Sequence, residues 1–464
     1  MTVKVGVVLA AGLGKRMNSK RHKVVHEICG KAMIAHVVDE LQAAGVDQLF
    51  VVVGSLEDQV RAVLGERVQF IRQEQQLGTG HAVLQAVPKL PEDSVTVVLN
   101  GDSPLIRRQE IQRLLSVAAE RKATAVLTAM VENPFAYGRV IRDGQGAVRR
   151  IVEEKDASAE ERLINEINGG VFAFRTSDLV AALCKLTPDN AQGELLLTDC
   201  VAHMRADSQL VWPVPVEDPN DLAGVNDRVQ LADVEARMKI RILREHMKRG
   251  VTVVDPASTY VQADVSIGRD TVLWPGTSLE GQTVIGEDCV IGPHARLVDV
   301  LAGAGVAVQS SLVMDSRLGD GASVGPYAYI RPGSDIGAGA KIGNFVEIKN
   351  SIVGEGTKVS HLSYIGDSEI GSRVNIGCGV VTVNYDGYQK NKTVVGNDSF
   401  VGSSVNLIAP VHVGSEAYIA TGSTITDEVP DGAFAIARER QTTKPEYAIR
   451  LRMKLKERIR QGLK

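Results

Sequence analysis

Residues 9–17, LAAGLGKRM, set two glycines and two cations directly after an apolar run from Val5 to Leu9. Backbone N–H groups in such a turn approach phosphate oxygens closely, and Lys15 and Arg16 would add charge-assisted hydrogen bonds. The stretch therefore reads either as a phosphate site or as a plain strand-to-helix turn. It matches neither common phosphate template: one needs a second glycine and a hydroxyl here, the other a glycine where Met17 stands. Polar residues follow other apolar runs in the same way. Asp102, in LNGDSPL (99–105), is suited to capping a helix or to holding a hard metal, with Asn226 of GVNDR (224–228) as a second oxygen ligand. QEQQLGTGHA (73–82) offers another glycine turn with amides for a base or sugar edge, and Glu153 and Asn168 can bond sugar hydroxyls. Together these are polar groups at several strand ends, the arrangement of a nucleotide or sugar pocket.

A second group of candidates lies beyond residue 330. His361, with Tyr364 three residues on, is suited to general base work near neutral pH or is simply a surface histidine. Arg331 and Lys349 are either phosphate grips or solvated charges. Nothing near Cys378 marks it as an activated nucleophile, so covalent catalysis is not expected.

The elements that must position these residues change character along the chain. From residue 1 to 228, strand-like runs (Val5–Leu9, Gln48–Val53, Val95–Leu99, Ala125–Val131 and Gly170–Phe174) alternate with helical patterns, which predicts an α/β domain with a largely parallel sheet and ligands beyond its carboxyl ends. Leu231, Val234, Met238 and Ile242 recur at helical spacing and predict a linker helix over 229–250. From 251 to 437 aliphatic residues recur every six positions: Ile267 to Leu297, Leu312 to Ile348 and Val395 to Ile425. That period predicts a hexapeptide β-helix, interrupted at 358–367 and 381–393. The net charge is −4, but residues 438–464 carry ten Lys/Arg against three Asp/Glu, so basic contacts concentrate in this tail, where Ile449, Leu451, Met453 and Leu455 alternate with cations in a pattern that selects neither strand nor helix. Five scattered cysteines without a C-x-x-C pair, no leader segment and no apolar run of membrane-spanning length predict a cytoplasmic protein with neither membrane nor nucleic-acid partners.

With these residues assembled, the chain resembles the bacterial bifunctional enzymes that make UDP-N-acetylglucosamine, an N-acetylglucosamine-1-phosphate uridylyltransferase fused to a glucosamine-1-phosphate acetyltransferase. The resemblance runs from Val5 to about Gln441 through LAAGLGKRM, HKVVHEICGK, QQLGTGHA, GDSPL, EINGGVF, GVNDR, RPGS, NFVEIK, SHLSYIGD, VNIGCG and VNYDG. It implies a Rossmann-like nucleotidyltransferase domain followed by a left-handed parallel β-helix that assembles as a homotrimer, and a product that feeds peptidoglycan and lipopolysaccharide synthesis. By this resemblance Leu9, Ala10, Ala11 and Gly12 wrap the triphosphate of UTP, with Arg16 and Lys23 stabilising its charge. Gln73, Gly78 and Thr79 face the uracil, Asp102 and Asn226 hold Mg2+, and Gly138, Glu153 and Asn168 face the sugar. Arg331, Lys349, Tyr364, Asn375 and Lys390 would surround glucosamine 1-phosphate, with His361 as base. Asn384, Tyr385, Ser403, Thr421 and Arg438 would face acetyl-CoA, and the Cys378 N–H would receive the oxyanion. The chain departs from the family at Arg21-His22, where Leu-Pro is common, at Gly169, where threonine is usual, and at Val380, where a hydroxyl is usual. These touch the presentation of Lys23, the sugar pocket and the acetyl-CoA floor in turn. Two other readings predict different patterns. A single-activity nucleotidyltransferase with an oligomerising β-helix would lack His361 and the Asn384 loop, and a non-enzymatic regulatory subunit would have no use for Lys23, Asp102 and Asn226 together.

Overall fold

The computed structural model describes residues 2–462; Met1, at the start of the first expected domain, and Leu463 and Lys464, at the end of the tail, lie outside the described residues. The chain divides into two compact units, Met1–Glu245 with Val261–Asp264, and His246–Tyr260 with Val265–Lys464.

In the first unit the strands β1 (Val3–Ala10), β2 (Gln48–Val53), β3 (Gln69–Arg72), β4 (Ser94–Asn100), β5 (Thr124–Met130), β6 (Arg139–Arg142), β7 (Val148–Val152), β8 (Glu166–Arg175) and β9 (Val211–Pro215) form one sheet. Its order is β9-β5-β8-β4-β1-β2-β3, with β6 and β7 as a hairpin attached to β8. Neighbours along this path run parallel except at β8, which is antiparallel to β4 and β5. Alternation along β1 sends Val8 and Ala10 to one face and Val5 and Val7 to the other. The first face is covered by α1 (Met33–Ala43), α2 (Glu57–Leu64) and α4 (Arg108–Arg121); the second by α3 (Thr79–Ala86), α5 (Thr176–Leu183) and α6 (Asp199–Ala206). A strand buried on both faces reads as a continuous apolar run, which is why VGVVL was visible in the sequence. The helix α7 (Arg228–Lys248) buries Val234 and Met238 against Met17, Leu105 and Val225. Its Arg241 donates to the Leu105 carbonyl and to Asp221, both at 2.8 Å.

His22, His26 and His36 are all buried in this unit, and burial, the main cause in each case, holds the three imidazoles below the ordinary 6.5. Their folded affinity for protons is depressed, so the unfolded chain binds those protons first. Stability is therefore complete above about pH 6.5 and is lost as pH falls from there. Thermal unfolding of the full chain should show its first transition moving to lower temperature between about pH 7 and 5; a transition independent of pH in that window would contradict the neutral, buried state of these rings.

The second unit is a stack of parallel coils. Ser266 pairs with Val284, Val272 with Val290 and Ser278 with Arg296, so each coil advances eighteen residues, three hexapeptides. Of the nineteen aliphatic positions in the six-residue series, all but Leu312 are buried inside the coils. At that point the register slips: Leu297 pairs with Val313, which takes the inward place, and Leu312 is left half-buried. Some coils are one residue shorter, with Ile348 stacked under Ile365 and Ile342 under Val359. Residues 358–367, expected as an interruption, are therefore ordinary wall in a seventeen-residue coil. The interruption at 381–393 is a true insertion: Thr382 pairs with Leu407 and Ser368 with Thr393, twenty-five residues on, and the surplus leaves the wall as a loop. Val380 is fully buried in the coil interior and therefore does not face a ligand. The tail forms a helix, α8 (Tyr447–Arg460), with every side chain exposed. No helix of the described residues is long and apolar enough to cross a membrane.

Candidate functional site

In the first unit Leu9 of β1 pairs with Asn100 of β4, so the glycine turn and the Asp102 loop leave adjacent strands at the same carboxyl end of the sheet. A cavity of about 370 Å3 opens there, lined by Leu9, Ala10, Ala11, Gly12, Lys23, Gln73, Gly78, Thr79 and Asp102. That volume is of the size that holds a small ligand. Gly14 turns the loop at φ 57°, and a Cβ there would come within 2.6 Å of the Lys23 Cβ, so glycine makes room for the lysine stem. Met17, which breaks the dinucleotide template, is buried beside Ile28, Met33 and Leu105 and anchors the loop. Arg16 is exposed at the loop and makes no hydrogen bond or ion pair among the described residues.

Lys23 is the centre of this site. Its Nζ forms an ion pair with the Asp102 carboxylate and donates to Asn226 Oδ1 at 3.2 Å. The Val225 N–H donates to the Asp102 carbonyl at 3.0 Å, which ties the two oxygen-bearing segments together. Asp102 caps no helix, because α4 begins only at Arg108. A carboxylate and an amide oxygen turned toward one positive centre form a donor set that fits Mg2+, which takes one or two protein ligands and completes its shell with substrate phosphates and water.

Gln73 is buried, and its Nε2 donates to the Gly78 carbonyl at 3.3 Å and to His81 Nδ1 at 2.9 Å. A Cβ on Gly78, at φ 114°, would meet the Leu195 carbonyl at 2.5 Å, and Thr79 Oγ1 accepts the Leu197 N–H at 3.0 Å. Gln76 Nε2 donates to the Ala11 carbonyl at 2.8 Å and closes the cavity from the far side.

Gly138, Glu153 and Asn168 also meet. The Asn168 N–H donates to the Gly138 carbonyl at 2.8 Å, and a Cβ on Gly138 would lie 3.5 Å from both Glu153 carboxyl oxygens. Burial pushes the Glu153 carboxyl up against the opposing hydrogen bond from the Thr198 hydroxyl at 3.1 Å. A Cβ on Gly169 would meet a Leu222 methyl at 2.5 Å, so a side chain here needs Leu222 to turn away.

The second unit gathers its candidates in two places. At one corner Leu362 N–H donates to the Asn344 carbonyl, Gly379 to His361, Ser404 to Cys378 and Gly422 to Ser403. Asn344, His361, Cys378, Ser403 and Thr421 thus follow one another up five successive coils, and the Arg438 stem lies 3.7 Å from where a Cβ of Gly422 would be. His361 Nδ1 is 2.6 Å from Asn344 Oδ1. A carbonyl oxygen only accepts, so Nδ1 carries the ring proton and Nε2 has its lone pair free. Among the described residues the Cys378 N–H has no partner, and its thiol is exposed.

The other place is a cationic cluster beside the inserted loop. Asp367 accepts from Lys349 Nζ at 2.8 Å, from Asn350 at 2.8 Å and from Asn384 at 2.5 Å, and Asn384 also reaches the Tyr364 hydroxyl at 3.4 Å. Burial works against the charge on Lys349, but Asp367 more than offsets it. Lys349, the neighbouring cation, pulls the Lys390 ammonium down, and Arg331, paired with Glu347 at 2.8 Å, adds to that field. A groove of about 450 Å3 opens among Asn350, Asp367 and Lys390. Asn384 therefore stands with the cations, not on the His361 corner, and Tyr385 is exposed at the loop, bridged to Lys390. Asn375 lies on another face, between Lys358 and Phe400. The strand Tyr364–Gly366 lies between His361 and Asp367 along the chain, and its Tyr364 hydroxyl reaches the cluster through Asn384.

Thr198, Asn344, Asn350 and Asp367 are absent from the sequence reading. Asn344 was within its reach, because it precedes His361 by seventeen residues, one coil. Thr198 carries no signal, since its contact joins segments distant in sequence.

Residues 6–167 match the MobA-like NTP transferase domain, residues 259–298 the bacterial transferase hexapeptide (six repeats) and residues 315–407 the GMPPB C-terminal domain. The chain is 52% identical over 444 residues to the Bifunctional protein GlmU of Brevibacillus brevis, covering 95% of this chain and 96% of that one. It is 50% identical over 457 residues to the Bifunctional protein GlmU of Geobacillus sp., covering 98% and 99%. The Acetivibrio thermocellus protein of the same name is 49% identical over 452 residues, covering 97% and 98%. A crystal structure of UDP-glucose pyrophosphorylase complexed with UDP-glucose is similar at 18% identity and a TM-score of 0.43, over 52% of this chain and all of the other.

Proposed function

The chain belongs to the bifunctional GlmU family, and from that premise we propose how its two activities, N-acetylglucosamine-1-phosphate uridylyltransferase and glucosamine-1-phosphate acetyltransferase, are distributed over its residues. Uridylyl transfer belongs to the first unit. A phosphate oxygen of N-acetylglucosamine 1-phosphate attacks the α-phosphorus of UTP in line, and pyrophosphate leaves. Little covalent work falls to the protein, so placement and charge neutralisation carry the step. The 9–17 loop cradles the phosphates, Lys23 and Arg16 neutralise them, Gln73, Gly78 and Thr79 hold the uracil, and Gly138, Glu153 and Asn168 hold the sugar. Asp102 and Asn226 would hold Mg2+, which when bound would neutralise phosphate charge. The observation that carries this assignment is the Lys23 bridge between Asp102 and Asn226.

Acetyl transfer belongs to the second unit. His361 Nε2 takes a proton from the amine of glucosamine 1-phosphate as its nitrogen attacks the acetyl carbonyl of acetyl-CoA, the Cys378 N–H receives the oxyanion, and the CoA thiolate leaves. The cationic cluster, with Arg331, Lys349, Tyr364 and Lys390, supplies the counter-charge for the sugar phosphate; Asn375 joins it from another copy or through the ligand. Ser403, Thr421 and Arg438 lie along the path left for CoA. On the family resemblance, this site is shared between copies of a homotrimer, in the cytoplasm.

A fragment of residues 1–245 should release pyrophosphate from UTP and N-acetylglucosamine 1-phosphate and release no CoA thiol from acetyl-CoA. Ending the fragment at 229 removes Val234, Met238 and Arg241 from their contacts with Leu105, so the shorter fragment should unfold at a lower temperature. A folded 1–245 fragment without pyrophosphate release overturns the assignment.

A further inference from the structure

Lys23 opens a single helical turn, Lys23–Val25, whose Val24 N–H is accepted by Nδ1 of His22 at 3.4 Å. From α2, Gln59 Oε1 accepts the His22 N–H at 2.7 Å while its Nε2 donates to the Lys20 carbonyl at 3.3 Å. The imidazole is 2% exposed, and its Nε2 has no hydrogen-bond partner among the described residues. A ring nitrogen that accepts carries no proton, so the proton of the neutral ring sits on Nε2.

We propose that His22 is a positioning residue for uridylyl transfer: the neutral imidazole caps the turn that presents Lys23 to the nucleotide phosphates, and a second ring proton undoes that cap. The inference rests on the assignment of Lys23 given above. A proton added at Nδ1 would confront the Val24 N–H, donor against donor, and the new charge would lie beside Lys23 in a place closed to water. Of the groups that face the ring, Lys23 and His26 oppose the charge, the Ala10 carbonyl favours it, and Gln59 engages only the backbone. Arg228 and Arg21 face His26 and hold it neutral in turn. Burial, Lys23 and His26 together keep His22 below the ordinary histidine range, so the cap is in place at neutral pH and fails on the acid side. The loss falls on phosphate binding and thus on the KM for UTP.

The test follows both activities of the full chain from about pH 5 to 8.5 in the wild type, His22→Asn, His22→Leu and Lys23→Ala. Asparagine offers an amide oxygen to the same N–H and does not titrate. The terminal phosphate of UTP titrates alike for every variant, so the readout is the ratio of KM between wild type and His22→Asn. That ratio should rise several-fold toward the acid end, while His22→Leu, which has no cap, should show a KM raised roughly five- to tenfold over that of His22→Asn at every pH. Thermal unfolding followed by circular dichroism, with the same first transition as the wild type, reports that the first unit of each variant is folded. A ratio constant across the pH range overturns the inference. A Lys23→Ala protein with intact uridylyl transfer overturns the Lys23 assignment instead.

Discussion

Asp102→Ala should lower uridylyl transfer by on the order of 10²-fold or more and leave acetyl transfer by the same protein within about twofold of the wild type. The carboxylate holds Lys23 in the free protein and is one of the two oxygen donors suited to the cation that accompanies the triphosphate. Removing it leaves the phosphates short of a compensating charge and frees Lys23 from the position it takes between Asp102 and Asn226. Asp102 caps no helix, so no helix end is lost with it. A first unfolding transition moved well below that of the wild type would make the residue structural.

His361→Ala is the mirror experiment. It should cut CoA-thiol release by on the order of 10²- to 10⁴-fold, the range that a general base contributes, and leave pyrophosphate release unchanged. The ring is exposed on the wall and anchored by one bond to Asn344, so its removal costs the coil little. Retention of acetyl transfer at more than about a tenth of the wild-type rate would assign the base role elsewhere.

Periodicity was the strongest signal in the sequence because each coil repeats one packing problem: an aliphatic side chain either fills the interior or does not. Leu312 shows the limit of that signal. Two adjacent aliphatics, Leu312 and Val313, satisfy the six-residue count equally well, and only the pairing of Val313 with Leu297 decides between them. The 358–367 segment misled for a related reason, since a coil shortened by one residue and a loop both break a count. In the first unit buried strands were legible as apolar runs, whereas the antiparallel entry of β8 was not, because direction leaves no mark on hydropathy. The first site was readable as polar residues after strands, but that Lys23 is what joins Asp102 to Asn226 depends on segments about 80 and 200 residues apart.

The corner that carries Asn344, His361, Cys378, Ser403 and Thr421 is also a ruler. Parallel neighbours stand about 4.8 Å apart, so its graduations are set by backbone hydrogen bonds and not by side chains. From Cys378 through Ser403 to Thr421 a ligand laid along this edge passes two divisions, roughly 10 Å, before it comes level with Arg438. Under the proposed assignment, recognition along such an edge would select for length: shortening an extended acyl carrier by one division would move its anionic end out of register with the arginine, while the acyl end would still meet the histidine. A solenoid enzyme can therefore change the reach of its substrate by gaining or losing a whole coil, with no change at the reacting end.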